Sequence, residues 1–218
     1  MKEKNRELDI PFVNISKEIM KEASDRYLKD CKSNYICPDY ENDSELELGI
    51  QEIEENIDKI LVNKNLKKIE FKEIITIETL EKLSSINQVE EISFTNLDKE
   101  FDFLKDTLVS LLKFKNLKRL RIQNYYNTKY LPNEIGDLIN LTYLSINLTK
   151  IEEFPESISN LKNLISLEVE MNKLKSLPNT IKNLKNLREI DISYNQLKKL
   201  PKVLLEIDNL KIENLKYQ

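Results

Sequence analysis

Apolar residues recur along the chain in two alternating rhythms. In Leu164-x-x-Leu167-x-Val169 every second position is apolar at its end, which predicts a short strand with alternate side chains turned inward. Pro155, Ile158, Leu161 and Leu164 instead recur at every third position, a spacing suited to a 3₁₀-like turn on the opposite side. The two rhythms follow one another with a fixed period. Leu131-Pro132, Phe154-Pro155, Leu177-Pro178 and Leu200-Pro201 place their prolines at one constant interval, and Leu187-x-x-Ile190-x-Ile192-x-x-Asn195-x-Leu197 repeats Leu164-x-x-Leu167-x-Val169-x-x-Asn172-x-Leu174 position by position at that same interval.

Earlier units keep the frame more loosely. Leu141, Leu144 and Ile146 start one, with Thr149 where Asn is due; Leu117, Leu120 and Ile122 start another, one residue longer. Val89, Ile92 and Phe94 follow Leu66, Ile69 and Phe71 at the constant interval, and the longer link from Val89 to Leu117 leaves about five residues to bulge out around Asp98–Asp106. Leu210 begins a seventh unit that decays, with Glu213 where an apolar residue is due and Ile212 at an outward position. No single unit can bury its apolar residues alone, so stacking is what gives the chain a core.

The pattern Leu-x-x-Leu-x-Leu-x-x-Asn-x-Leu followed by Leu-Pro-x-x-Ile-x-x-Leu-x-Asn-Leu resembles the leucine-rich-repeat superfamily, in its intracellular type as seen in Ras-group repeat proteins and similar bacterial proteins. The resemblance covers 131–210 closely and 65–130 more loosely. It implies an α/β fold: a right-handed solenoid with a concave parallel sheet and short helical or extended segments outside. Asn172 and Asn195 then read as buried side chains that bond the backbone where the chain leaves the strand, rather than as ligand contacts. The recurrent Asn140, Asn163, Asn186 and Asn209 point to a structural role as well.

Residues 1–64 lack the repeat and read as a helical capping region ahead of a repeat domain over 65–218, of about seven units. Ser44-Glu45-Leu46-Glu47 has the form of a capping box before Ile50, Ile53, Ile57, Ile60 and Leu61 at helical spacing. A second helix is expected from Ser16, with Met20, Ala23 and Tyr27 along one face. Such a segment covers the open apolar end of the array, which solubility requires, or serves as a partner-binding module of its own.

Composition narrows the function. The 218 residues contain no His, which removes the commonest general base and metal ligand, and only two glycines, too few for a phosphate-cradling loop. Neither a catalytic residue, a metal site nor a cofactor is expected. Cys31 and Cys37 match no zinc or redox motif and read as free thiols in a reducing compartment. The residues after Met1 are charged and polar, and no apolar run is long enough to span a bilayer, so a cytoplasmic protein is expected, with no membrane partner. Net charge is −4, divided as −6 over residues 1–64 (10 basic, 16 acidic) and +2 over the rest (24 basic, 22 acidic), a balance that argues against nucleic acid.

The residues between the inward-facing apolar positions are the candidate binding surface. Arg119 and Arg121 share one strand, Tyr143 and Ser145 the next, and Glu168, Glu170, Glu189 and Asp191 crowd the two beyond. Seven strands at ~4.8 Å make a face roughly 30 Å long, enough for a small domain or an extended peptide. Like charges gathered on one face are unfavourable unless something offsets them. Two readings of the acidic group stand: it receives a protein partner with a basic surface, with Arg119, Arg121 and Tyr143 as a separate polar and aromatic anchor, or it is one of the solvated charged faces of a lysine- and glutamate-rich solenoid. Lys162, Lys173, Lys175, Lys185 and Lys198 fall outside the strands, on the rims or convex side. Tyr125, Tyr126 and Tyr130 cluster near the one-residue insertion, Tyr130 as loop packing. An inhibitor or immunity-type protein that blocks an enzyme, and the recognition half of a larger multidomain protein, are the alternative roles.

Overall fold

The computed structural model of the chain describes residue 40 and residues 42–73, 75–95, 104–124 and 129–213. The helix expected from Ser16, both cysteines, Tyr125 and Tyr126 lie outside the described residues.

Among the described residues eight strands form one parallel sheet in strict chain order. They are β1 (Glu45–Leu48), β2 (Lys68–Phe71), β3 (Glu91–Thr95), β4 (Arg119–Gln123), β5 (Tyr143–Asn147), β6 (Ser166–Glu168), β7 (Glu189–Asp191) and β8 (Lys211–Glu213). Neighbours pair at the repeat spacing read from the sequence, so that Ile69 stands beside Ile92, Leu144 beside Leu167 and Leu167 beside Ile190. Inward residues of successive strands merge into one buried spine, in which the rings of Phe71 and Phe94 stack 5.2 Å apart.

The segments that return the chain from strand to strand change character along the array. Among the described residues three α-helices, α1 (Ile50–Val62), α2 (Ile77–Leu83) and α3 (Leu104–Leu111), serve the first strands, and four 3₁₀ turns (Asn133–Asp137, Glu156–Asn160, Asn179–Asn183 and Lys202–Glu206) serve the later ones. The change coincides with the first Leu-Pro pair. Pro132, Pro155, Pro178 and Pro201 each stand immediately before a turn, with φ between −60° and −69° and an extended ψ. The ring fixes that φ and supplies no N–H, so the chain enters the turn extended and closes it with i to i+3 bonds such as Ile158 N–H to the Pro155 carbonyl at 3.1 Å. Ile158, Leu161 and Leu164, which recur at every third position, are all fully buried.

Both asparagine ladders are structural. Asn195 is 3% exposed; its Nδ2 donates to the carbonyls of Val169 (2.6 Å), Ile192 (3.0 Å) and Ser193 (3.2 Å), and its Oδ1 accepts from Leu174 N–H at 2.9 Å. Asn172 repeats the arrangement toward Ile146 and Glu170, and Thr149 substitutes by donating its hydroxyl to Asn172 Oδ1. The residue before each of these, Leu148, Met171 and Tyr194, has φ between 52° and 56° and turns the chain out of the strand without a glycine. On the other rim Asn140, Asn163 and Asn186 each donate to a carbonyl of the preceding unit, at 3.4, 3.0 and 2.8 Å.

Three expectations change. No helix starts at Ser44: Glu45–Leu48 is a strand, with Leu46 and Leu48 inward beside Ile69 and Phe71, so the repeat frame extends one unit before Leu66, into the segment expected to be a helical cap. Helix α1 begins at Ile50, and Gly49 N–H bonds Glu52 Oε2 at 3.0 Å to close its first turn. At the far end Ile190 pairs with Ile212, a step one position shorter than that from Leu167 to Ile190, so Ile212 takes the inward register position while Lys211 and Glu213 take the outward ones. Tyr130, expected as loop packing, is 60% exposed, and its backbone makes an isolated bridge to Glu153. Within the expected bulge at Asp98–Asp106, Leu104–Asp106 form the start of α3 and the remainder is outside the described residues.

Candidate binding face of the sheet

The outward positions of β1 to β8 form the open face, and on its first half every carboxylate has a cation. Glu45 meets Lys68 at 3.2 Å, Lys72 sits between Glu70 (2.5 Å) and Glu47 (3.2 Å), and Glu91 receives two arginines. Each of the two Glu91 oxygens takes one donor: Arg119 Nε at 2.9 Å and Arg121 Nε at 3.1 Å. The register dictates this, because Glu91 stands beside Arg119, and Arg121 is the next outward position on the same strand.

Tyr143 continues the network. Arg121 Nη1 donates to its hydroxyl at 2.7 Å, and the hydroxyl donates to Glu168 Oε2 at 2.6 Å. Both guanidinium groups lie over the ring, with Cζ of Arg119 at 4.1 Å and of Arg121 at 4.5 Å from its centroid, a cation–π arrangement that leaves Tyr143 only 7% exposed. Burial first, and then the carboxylate of Glu168, push the phenol from 10.0 up to about 12. Ser145 beside it is fully buried and accepts from Asn147 Nδ2 at 3.0 Å.

Of the expected residues Arg119, Arg121, Tyr143 and Glu168 meet, so that the anchor and the acidic group are joined through Glu168 rather than separate, while Ser145, Glu170, Glu189 and Asp191 stay outside that chain of contacts. Glu91, Arg119, Arg121, Tyr143 and Glu168 are one chain of contacts across β3 to β6, and the tyrosine expected as an anchor lies beneath the arginines. Glu91 was not singled out from sequence; its signal was its place in the outward column directly beside Arg119. Beyond Glu168 the face changes. Glu168, Glu170 and Glu189 take part in no ion pair among the described residues, and Glu213 meets Lys211 at 2.5 Å. Asp191 folds back to accept from Ser193 N–H at 2.9 Å. Glu170 lies just past the end of β6 and its own N–H bonds Asn147 Oδ1.

A family profile described as a leucine-rich repeat region matches residues 96–216, more than half of the chain. The chain belongs to the leucine-rich-repeat family. Solved leucine-rich-repeat structures share its fold. A plant peptide hormone receptor, RGFR1 in complex with RGF2, superimposes with a TM-score of 0.55 at 22% identity over 81% of this chain and 27% of its own. An internalin from Listeria monocytogenes gives 0.54 at 17% identity over 74% of this chain and 51% of its own. Internalin C2 from the same organism gives 0.51 at 20% identity over 72% and 74%. The repeat chain thus spans about a quarter of the receptor's length and about half of the first internalin's. No curated protein matches its sequence. Among the described residues no helix is long and apolar enough to cross a membrane, and no three potential metal ligands gather in one place.

Proposed function

We propose that the chain is a protein-binding module that holds its partner on the open face of the sheet, with Glu168, Glu170, Glu189 and Asp191 receiving a basic surface. The observation that carries this is the contrast along the face. From β1 to β3 the outward carboxylates form ion pairs within the chain, whereas Glu168, Glu170 and Glu189 form none among the described residues; Lys211, beside Glu189 in the register, makes its ion pair with Glu213. Crowded like charges on adjacent strands raise the energy of the free protein, and a lysine- or arginine-bearing partner lowers it again. Arg119, Arg121 and Tyr143 form the rigid neighbour of that patch. Their mutual stacking fixes side chains that otherwise lose rotamer freedom on binding, and Arg119 keeps two-fifths of its surface exposed for contact. The relatives' fold supports this role, since a receptor chain of the same architecture was solved in complex with RGF2.

The test is affinity capture from a lysate of the native cell on the immobilised chain, with the triple variant Glu168→Gln, Glu170→Gln, Asp191→Asn alongside. A partner retained by the wild type and released by added salt is expected to be lost on the variant. Equal capture by both would move the partner off this face.

A further inference from the structure

A second surface lies in the loops of the units that begin at Leu164 and Leu187, away from the sheet. A groove of about 620 Å³ runs between them, with Leu177, Leu197, Pro201 and Val203 among its lining and Lys175, Lys198, Lys199 and Lys202 around it. Among the described residues no acidic side chain lines it. The stacking frame explains why the cations are left over. Glu152, Lys175 and Lys198 occupy the same position in three successive units. Lys175 meets Glu152 at 2.5 Å, and the next rung then sets Lys198 against a lysine rather than a carboxylate. Lys198, Lys199 and Lys202 are exposed and form no ion pair among the described residues.

We propose that this groove is a second docking site, taken by an acidic segment of a partner protein that places apolar side chains between Leu177, Leu197 and Val203 and carboxylates on the lysines. Charge complementarity sets the sign of the occupant. The lining sets its class: single-stranded nucleic acid binds on aromatic stacking platforms along a basic track, and this groove has no aromatic residue and spans only two units. A volume of this size admits a few side chains and not a folded domain. The site is independent of the acidic face. Its cations lie outside the strands, so a partner could engage both surfaces at once with opposite charges.

Two probes test it on the full chain: a peptide of alternating Glu and Leu, and the same peptide with Gln for Glu, each titrated into protein with labelled methyl groups, with oligo-dT as the nucleic-acid control. The Glu peptide is expected to shift the methyl signals of Leu177, Leu197 and Val203, and to bind about tenfold more weakly to Lys198→Gln, Lys199→Gln, Lys202→Gln. The Gln peptide is expected to leave those signals in place. The open-face triple variant, kept as a control for the site proposed above, is expected to bind the Glu peptide like the wild type. Equal binding of both peptides, shifts confined to the open face, an unaffected lysine variant, or oligo-dT shifting the same methyls as strongly as the Glu peptide would each overturn the proposal.

Discussion

Asn195 shows how a single side chain holds one unit to the next. Three carbonyl acceptors and one N–H donor converge on it where the strand ends, and none of the four belongs to a regular ladder. Removing the amide strands the Val169 and Ile192 carbonyls and the Leu174 N–H in a dry interior, while the Ser193 carbonyl keeps the Met171 N–H. Asn195→Ala is expected to cost roughly 1–3 kcal/mol, read as a lower urea midpoint; a midpoint equal to that of the wild type would show that water replaces the amide. Tyr143 makes a second prediction at this scale. Its folded ionisation lies near 12 against 10.0 unperturbed, so the unfolded chain releases the phenolic proton first as pH rises. The stability this gives is complete below pH 10 and is lost between 10 and about 12. The stability gap between wild type and Tyr143→Phe is expected to narrow across that window, lysine titrations being common to both proteins. A constant gap would mean that the phenol ionises normally.

Elements were legible where one rhythm was present and illegible where two overlapped. The Leu-Pro-x-x-Ile spacing identifies the 3₁₀ turns, and the structure places one after each of Pro132, Pro155, Pro178 and Pro201. Ser44-Glu45-Leu46-Glu47-Leu48 carries both a capping-box pattern and a strand alternation. What decides between them is the strand one unit further on, through Ile69 and Phe71, which local spacing does not report. The last strand was displaced by one residue for a similar reason. A unit shortened by a single position puts Ile212 in the inward place that the constant interval assigns to Glu213, and counting at a fixed interval does not register the shortening. Gly136 tests the packing of the turns. A Cβ at this position would lie 2.3 Å from the Ser157 carbonyl oxygen in the adjacent turn. Gly136→Ala is therefore expected to destabilise by about 1–3 kcal/mol by forcing the two turns apart. Gly49→Ala is the control, since its nearest contact is a flexible Glu52 side chain at 3.6 Å. Equal denaturation midpoints for the two variants would contradict the close approach.

At the scale of the whole array, the outward columns were readable from sequence but their pairing was not. Arg119, Arg121 and Tyr143 could be placed on neighbouring strands by counting; that Glu91 holds both arginines and that they cover the tyrosine depends on side-chain reach between strands, which no spacing encodes. The same pairing reveals the asymmetry of the face, neutralised toward β1 and acidic toward β7. The central claim is that this acidic end binds a basic partner. The most direct measurement is the dissociation constant of the captured partner at two salt concentrations, for the wild type and for Glu168→Gln, Glu170→Gln, Asp191→Asn. Weaker binding of the variant with a shallower salt dependence is the predicted result; identical affinity and identical salt dependence would contradict the claim.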